Sequence, residues 1–382
     1  MLRTLFVFLL SFTLLCPPLN AQSASASRTV RMGVLLPLKE KTARGAKMVE
    51  FYQGILMAVD SLKRTGVSID VQAMHTGSSA SDMDHLLASR ALNDCDVVFG
   101  PLDAAQLPAL ADYCDLHSIH LVVPFTTLAT QLIGHPRHYL VNAPRAHVQQ
   151  EALWYIQDQF PDHNLILVET NESNEEGMAF GEQLRTAASQ RGVYVRTLNI
   201  EGDDLAFQQA FNTQRKNLIL LNSPSLKAIN HLSSKLKDFK RQYPDYKISV
   251  FGYPAWQTYT QQLLTDFYQL DTYVYTTFYR NPLSQRCETF DRQFMQWFHT
   301  SMAPTFPRYA LMGFDVAYFF LRGLSLYGRD HLQEQLKQVS ALPYQHPLYF
   351  EQTHEGDGYV NSFVQLIHYT PLQSIELITR NR

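Results

Sequence analysis

The sequence predicts an α/β protein of two lobes, each a doubly wound, mainly parallel sheet. Two observations carry this. Near-continuous apolar runs such as "TVRMGVLLPL" and "NLILLNS" alternate with amphipathic stretches, the pattern of parallel strands covered on both faces by helices. The alternation then occurs twice along a chain of 382 residues, a length that admits two or three domains.

The first set opens with the strand "TVRMGVLLPL". In "MVEFYQGILMAVDSLKRTG", Val49, Tyr52, Leu56, Val59 and Leu62 form one stripe at three- and four-residue spacing, and Gly66 stops the helix. "SIDVQAMHTG" reads as a strand, and "SDMDHLLASRAL" as a helix capped by Ser81 or Asp82. "DVVFGP", a helix through Tyr113 and "HLVVPF" complete the set. The second set runs "NLILVET", a helix from Glu175 to Gln190, "VRTLNI", a helix near Leu205–Phe211, "NLILLNS", a helix from Lys227 to Arg241, and "KISVFGYP". "DTYVYTTFY" leads into two aromatic-rich helices, "LSQRCETFDRQFMQWFHT" and "YALMGFDVAYFFLRGLSLYG". The chain closes with strand-like "HPLYFEQ" and "YVNSFVQLIHYT", joined by a turn at "EGDG".

Hydrophobic residues make up 46% and charged residues 18% of the chain, enough to bury a sizeable core and to exclude disorder. The net charge of −3, with no basic run, argues against a nucleic-acid partner. The N-terminus reads as an export signal over 1–21: Arg3, a short apolar core, then helix breakers and small residues ending at Ala21. Cys16 suits lipidation poorly, because Leu15 precedes it and Pro17 follows. No later run is long and apolar enough to cross a bilayer, so the mature chain is expected outside the cytoplasm, in the periplasm. In that oxidising setting Cys95 and Cys114 fit either a disulfide or two buried thiols. Cys287 is left over and lacks a paired His and Asn.

The turns after the strands point to a binding edge. Ligands of open α/β sheets bind beyond the carboxyl ends of the strands, and two such sheets facing each other make a cleft. Leu36 and Pro37 end the first strand there. Gly100 and Pro101 end another, and a helix opening at about Asp103 directs its free amides toward the same edge. The same holds at "PFTTLAT", with Thr126 and Thr127.

The residues "MGVLLPL…MVEFYQGILMAVDSL…DVVFGPLDAAQ…HLVVPFTT…YLVNAP…GFDVAYFFLRG" resemble type I periplasmic binding proteins, the class of leucine/isoleucine/valine-binding proteins. They look closer still to a branch often joined to an N-terminal LysM module and labelled as ABC-transporter substrate-binding proteins. The resemblance runs from about Val30 to Ile378. It implies the type I periplasmic-binding-protein fold with three hinge crossings. Lobe 1 would span 28–143 with 278–340, and lobe 2 would span 144–277 with 341–382. The crossings fall near Asn142-Ala143-Pro144, Tyr279-Arg280-Asn281-Pro282 and Leu342-Pro343-Tyr344.

The resemblance also places the ligand residues. The family's carboxylate-binding hydroxyl in the loop after the third strand falls at Ala104, which has none. Thr126 and Thr127 match in type. The lobe 2 aromatic falls at Asn174, in a loop made acidic by Glu169, Glu172, Glu175 and Glu176. Tyr253 and Trp256 stand where the acidic clamp belongs and offer rings for stacking. Arg145 and Arg280 lie at crossings, within reach of a carboxylate.

Enzyme signatures are absent: no G-x-S-x-G, H-E-x-x-H or P-loop occurs. The pairs "HSIH" and "HPRH" lack further ligands nearby in sequence, so no metal site and no cofactor is expected. The resemblance implies a solute-binding protein that closes its cleft on an amino acid, peptide or cell-wall fragment for a transporter or sensor. Its partner would be a membrane permease or a peptidoglycan-associated envelope protein. The alternative is a ligand-free envelope interaction protein linked to peptidoglycan metabolism.

Overall fold

A computed structural model describes residues 29–380. The expected signal segment 1–21, with Cys16, lies outside the described residues. The elements alternate from the start: β1 (Val30–Leu36), α1 (Ala43–Lys63), β2 (Ile69–His75), α2 (Ala80–Ala88), β3 (Val97–Phe99), α3 (Leu107–Leu116), β4 (His120–Val123) and β5 (His138–Leu140). A second series follows: α4 (Arg145–Gln159), β6 (Asn164–Glu169), α5 (Glu175–Ser189), β7 (Val195–Asn199), α6 (Asp204–Ala210), β8 (Asn217–Leu221), α7 (Leu226–Gln242), β9 (Ile248–Gly252), α8 (Thr260–Gln269) and β10 (Thr272–Thr276). The chain then forms α9 (Gln285–Phe298), α10 (Tyr309–His331), β11 (Phe350–Gln352), β12 (Tyr359–Asn361), β13 (Gln365–Tyr369) and β14 (Ile375–Thr379).

The strands build two seven-stranded sheets, ordered β11-β12-β5-β4-β3-β1-β2 and β14-β13-β10-β9-β8-β6-β7. Strands β1–β5 run parallel and β12 joins them parallel to β5, with β11 antiparallel at the edge. In the second sheet β6–β10 run parallel, and β13 and β14 are antiparallel. Both faces of the first sheet are covered at β1, which explains the apolar run of β1 after the exposed Arg31. Val30, Met32, Val34 and Leu36 face the core shared with α1 and α10, whereas Leu35 faces the core shared with α3.

Helix α1 starts earlier than its apolar run suggests, because Thr42 accepts the N–H of Gly45 and caps it. Its buried stripe is Met48, Phe51, Ile55, Ala58 and Leu62; Val49, Tyr52 and Leu56 of the expected stripe are only half-buried. The shift has a physical cause. A Cβ on Gly54 would lie 1.9 Å from the carbonyl oxygen of Ala310, and one on Gly313 would lie 2.0 Å from that of Phe51. The backbones of α1 and α10 touch through these glycines, which turns α1 about its axis. The cap of α2 is Ser79 rather than Ser81 or Asp82. Asp82 instead returns a bond to the Ser79 N–H, completing a capping box.

The C-terminal segment corrects the expected lobe boundaries. Strands β11 and β12 pair in the first sheet, so 341–361 does not join the second lobe. The run "YVNSFVQLIHYT" is two strands in two sheets, and the chain crosses at 362–364. The segment at Leu342-Pro343-Tyr344 is held to α10 instead: Asp315 accepts the N–H groups of Tyr344, Gln345 and His346 at 2.7–2.8 Å. Cys95, Cys114 and Cys287 are buried free thiols, so the Cys95–Cys114 pair is not a disulfide.

Candidate functional site

The three crossings fix which edges of the sheets meet. The first leaves the carboxyl end of β5 and enters α4. The first half of α4 lies beside the start of α5, where Gln149 donates to the carbonyl of Glu176. The second leaves the carboxyl end of β10. The third leaves β12, which is parallel to β5, and enters β13, whose Gln365 pairs with Thr276 at the carboxyl end of β10. Each crossing therefore ties a carboxyl edge to a carboxyl edge, and the βα loops of the two sheets border the cleft between them.

On the first lobe Leu36 and Pro37 are buried at the end of β1. The Gly100–Pro101 peptide is cis, and Gly100 has φ +126° with a would-be Cβ 2.2 Å from the Leu35 carbonyl oxygen. Only glycine fits there. Asp103 does not cap a helix, since its side chain makes no capping bond; it pairs with Arg44 of α1. The chain turns through a 3₁₀ segment, Ala104–Gln106, before α3 opens. Ala104 is exposed, Gln106 is fully buried, and the Gln106 side chain donates to the carbonyls of Thr76 and Ser79 at 2.8 and 3.0 Å. Thr126 accepts the N–H of Leu128 at 3.2 Å, while Thr127 is exposed. Behind this rim stands an aromatic wall, with Phe125 packed on Phe51 at 4.9 Å and near Tyr309 at 6.5 Å.

On the second lobe Asn174 caps α5 by accepting the Gly177 N–H at 2.8 Å. Gly177 sits against the chain after β8: a Cβ there would lie 2.1 Å from the Asn222 carbonyl oxygen. Asn222 in turn accepts the N–H of Thr170 at 3.0 Å. Glu169, Thr170, Asn171, Ser173 and Asn222 help line an open recess of about 520 Å³ at the carboxyl ends of β6, β7 and β8. The acidity expected of this loop is partly offset: Glu169 pairs with Arg185 at 2.8 Å and Glu172 with Lys227 at 2.5 Å, while the exposed Glu175 lies 3.9 Å from Arg145.

Tyr253 and Trp256 are not in the cleft. Both are buried in the core of the second lobe. The Tyr253 hydroxyl donates to the Leu221 carbonyl at 2.6 Å, and Trp256 stacks on Phe267 at 5.9 Å. Trp256 also fills the space beside Gly252, where a Cβ would meet its ring at 1.9 Å. Arg280 is bound to Asp291 at 2.5 Å. Sequence reasoning missed Arg44, Phe125 and Asn222. A cation in the first turn of the helix after β1 is a legible signal for Arg44; the packing that sets Phe125 behind the rim is not.

The histidine pairs part company in the fold. His120 is buried and bridges the Tyr139 hydroxyl (2.9 Å) and the Arg329 carbonyl (2.7 Å). His135 and His138, in contrast, meet Asp115 of α3. Burial pushes the pKa of His138 well below its usual value, against the pull of Asp115.

No family model and no curated protein matches the sequence. Solved structures do match. A putative branched-chain amino acid ABC transporter protein from Rhodospirillum rubrum aligns with a TM-score of 0.63 at 14% identity, over 92% of this chain and 100% of that one. A branched-chain amino acid ABC transporter periplasmic ligand-binding protein from Burkholderia xenovorans aligns at 0.54 and 11% identity, over 92% and 94%. An ABC transporter substrate-binding protein from Sphaerobacter thermophilus aligns at 0.52 and 15%, over 93% and 98%. The chain has the two-lobe fold of type I periplasmic binding proteins. At these identities the likeness carries the fold and not the ligand.

Proposed function

We propose that this chain is an exported solute-binding protein whose lobes close on a small ligand and present it to a permease or sensor. The observation that supports this most is the edge-to-edge linkage: three short crossings join two carboxyl edges and leave βα loops on both sides of one cleft. Such linkage suits hinge closure. The ligand contacts proposed are Thr126, Thr127 and backbone amides from the first lobe, with the Asn174 loop from the second. Arg44, released from Asp103, would add a cation for an acidic ligand group.

A second reading is an envelope interaction protein linked to peptidoglycan, with no ligand in the cleft. One observation favours it: Ala104 lacks the hydroxyl, and Tyr253 and Trp256 are sealed in the core, so three positions implied for ligand contact offer none.

A thermal-unfolding screen with amino acids, short peptides, sugars and muropeptide fragments separates the two. A ligand at a hundred times its dissociation constant adds about 2.7 kcal/mol, a shift of a few degrees for a chain of this size. A shift for one class supports solute binding. A flat response across all four supports the second reading.

A further inference from the structure

Asp115, His135 and His138 lie at the opposite end of the first lobe from the cleft: Asp115 near the carboxyl end of α3, His138 as the first residue of β5, His135 in the loop before it. One donor atom from each lies within 4.8 Å of the other two. Asp115 uses both oxygens, with Oδ2 2.5 Å from His135 Nδ1 and Oδ1 3.2 Å from His138 Nε2. The His138 side chain is only 2% exposed, yet its Nε2 makes no hydrogen bond of normal geometry. A buried ring nitrogen whose one polar neighbour, the Asp115 carboxylate, is poorly aligned is costly, unless a better partner completes it.

We infer that these three side chains form a binding site for a divalent transition-metal ion, Zn²⁺ by the chemistry of its donors. Two imidazoles and one carboxylate are a borderline-soft set suited to zinc, and three protein ligands leave a fourth position for water. Tetrahedral bonds of roughly 2.1 Å set ligand atoms about 3.4 Å apart, so the donors must rearrange, with Asp115 Oδ2 and His135 Nδ1 moving apart from their 2.5 Å contact. His135 is the residue that moves. Its ring stacks on His138 at 4.6 Å and 7°, an arrangement in which one ion cannot lie in both ring planes. With 24% of its side chain exposed, His135 has room to swing out of the stack, whereas His138 is fixed by its burial. The bound ion would tie the end of α3 to the start of β5. This inference stands apart from the ligand reading of the cleft.

The test uses untagged, metal-stripped protein. Zn²⁺ titrated calorimetrically should bind one equivalent and raise the unfolding temperature, and Co²⁺ should give the visible absorption of a four-coordinate site. His135→Ala, at a part-exposed position, and Asp115→Asn should each weaken Zn²⁺ binding by about tenfold or more. His231→Ala in the other lobe should leave it unchanged. His138→Gln, checked for folding without metal, should behave like His135→Ala. Failure to bind Zn²⁺, or binding that survives both His135→Ala and Asp115→Asn, would overturn the assignment.

Discussion

The carboxylate of Asp315, on α10, accepts the backbone N–H of His346 at 2.8 Å, at the segment where the sequence suggested a hinge. Tyr344 and Gln345 donate to the same carboxylate. The His346 ring stacks on Phe278 at 5.0 Å, and Gln345 accepts the N–H of Tyr279 at 3.0 Å. Asp315 thus fastens this segment to the first lobe, and Gln345 and His346 tie it to the second crossing.

Stability should therefore depend on pH through Asp315. Burial raises its pKa to about 7, and the three N–H donors pull the other way without cancelling this. The folded pKa lies above the unfolded value of about 3.9. The folded state then binds the proton more tightly, and this contribution is lost as pH rises through about 7. Urea unfolding of the wild type should show this loss on going from about pH 5 to about pH 8. Asp315→Asn should flatten that component and, at about pH 6, cost about 1–3 kcal/mol, because one amide N–H then faces a backbone N–H. An equally steep profile in the variant would assign the pH dependence elsewhere.

The contact between α1 and α10 admits no methyl group. Gly54→Ala should destabilise the fold by about 3 kcal/mol or more, since the new Cβ would meet the Ala310 carbonyl. Gly66→Ala, where a Cβ meets nothing within 4 Å but φ is +91°, should cost only about 1–2 kcal/mol. Denaturant unfolding of the two variants ranks them; similar losses would mean the helices separate easily.

Tyr253 should matter for folding and not for ligand. Tyr253→Phe removes a buried hydroxyl and leaves the Leu221 carbonyl short of a partner, a loss of about 1–3 kcal/mol. Affinity for any ligand found in the screen should be unchanged. A selective loss of affinity would return Tyr253 to the cleft.

Arg44 and Asp103 should show the opposite behaviour. Their pair is partly exposed, so Arg44→Ala should change stability by no more than about 1 kcal/mol. An acidic ligand should then bind more weakly, and Asp103→Asn, which frees the cation, should bind it more tightly. Calorimetric titration of both variants reads this, and equal affinities would remove Arg44 from the site.

The alternation of strands and helices was legible because strands buried on both faces read as nearly continuous apolar runs, as β1 does apart from the exposed Arg31 and β8 after Asn217. The start of α5 was legible too, since Asn174 does its capping locally. What escaped depends on distant chain. Nothing in "YVNSFVQLIHYT" tells which sheet each half joins, because pairing with β5 or β10 is decided by partners far away in sequence. Tyr253 and Trp256 read as rim aromatics, and only the packing of Phe180, Phe267 and Tyr275 around them buries them. Asp115 is twenty residues from His135, so its place beside "HPRH" comes from the way α3 lies against the loop before β5.

The most direct test of the account is the distance between the two carboxyl edges. Spin labels on Leu128→Cys, after β4, and Asn171→Cys, after β6, occupy exposed loops on opposite lobes, while the three native thiols among the described residues are buried. Pulsed electron resonance should report a long distance in the free protein and a shorter one when one ligand class of the panel is added. A distance that stays the same with every class would contradict closure on a solute.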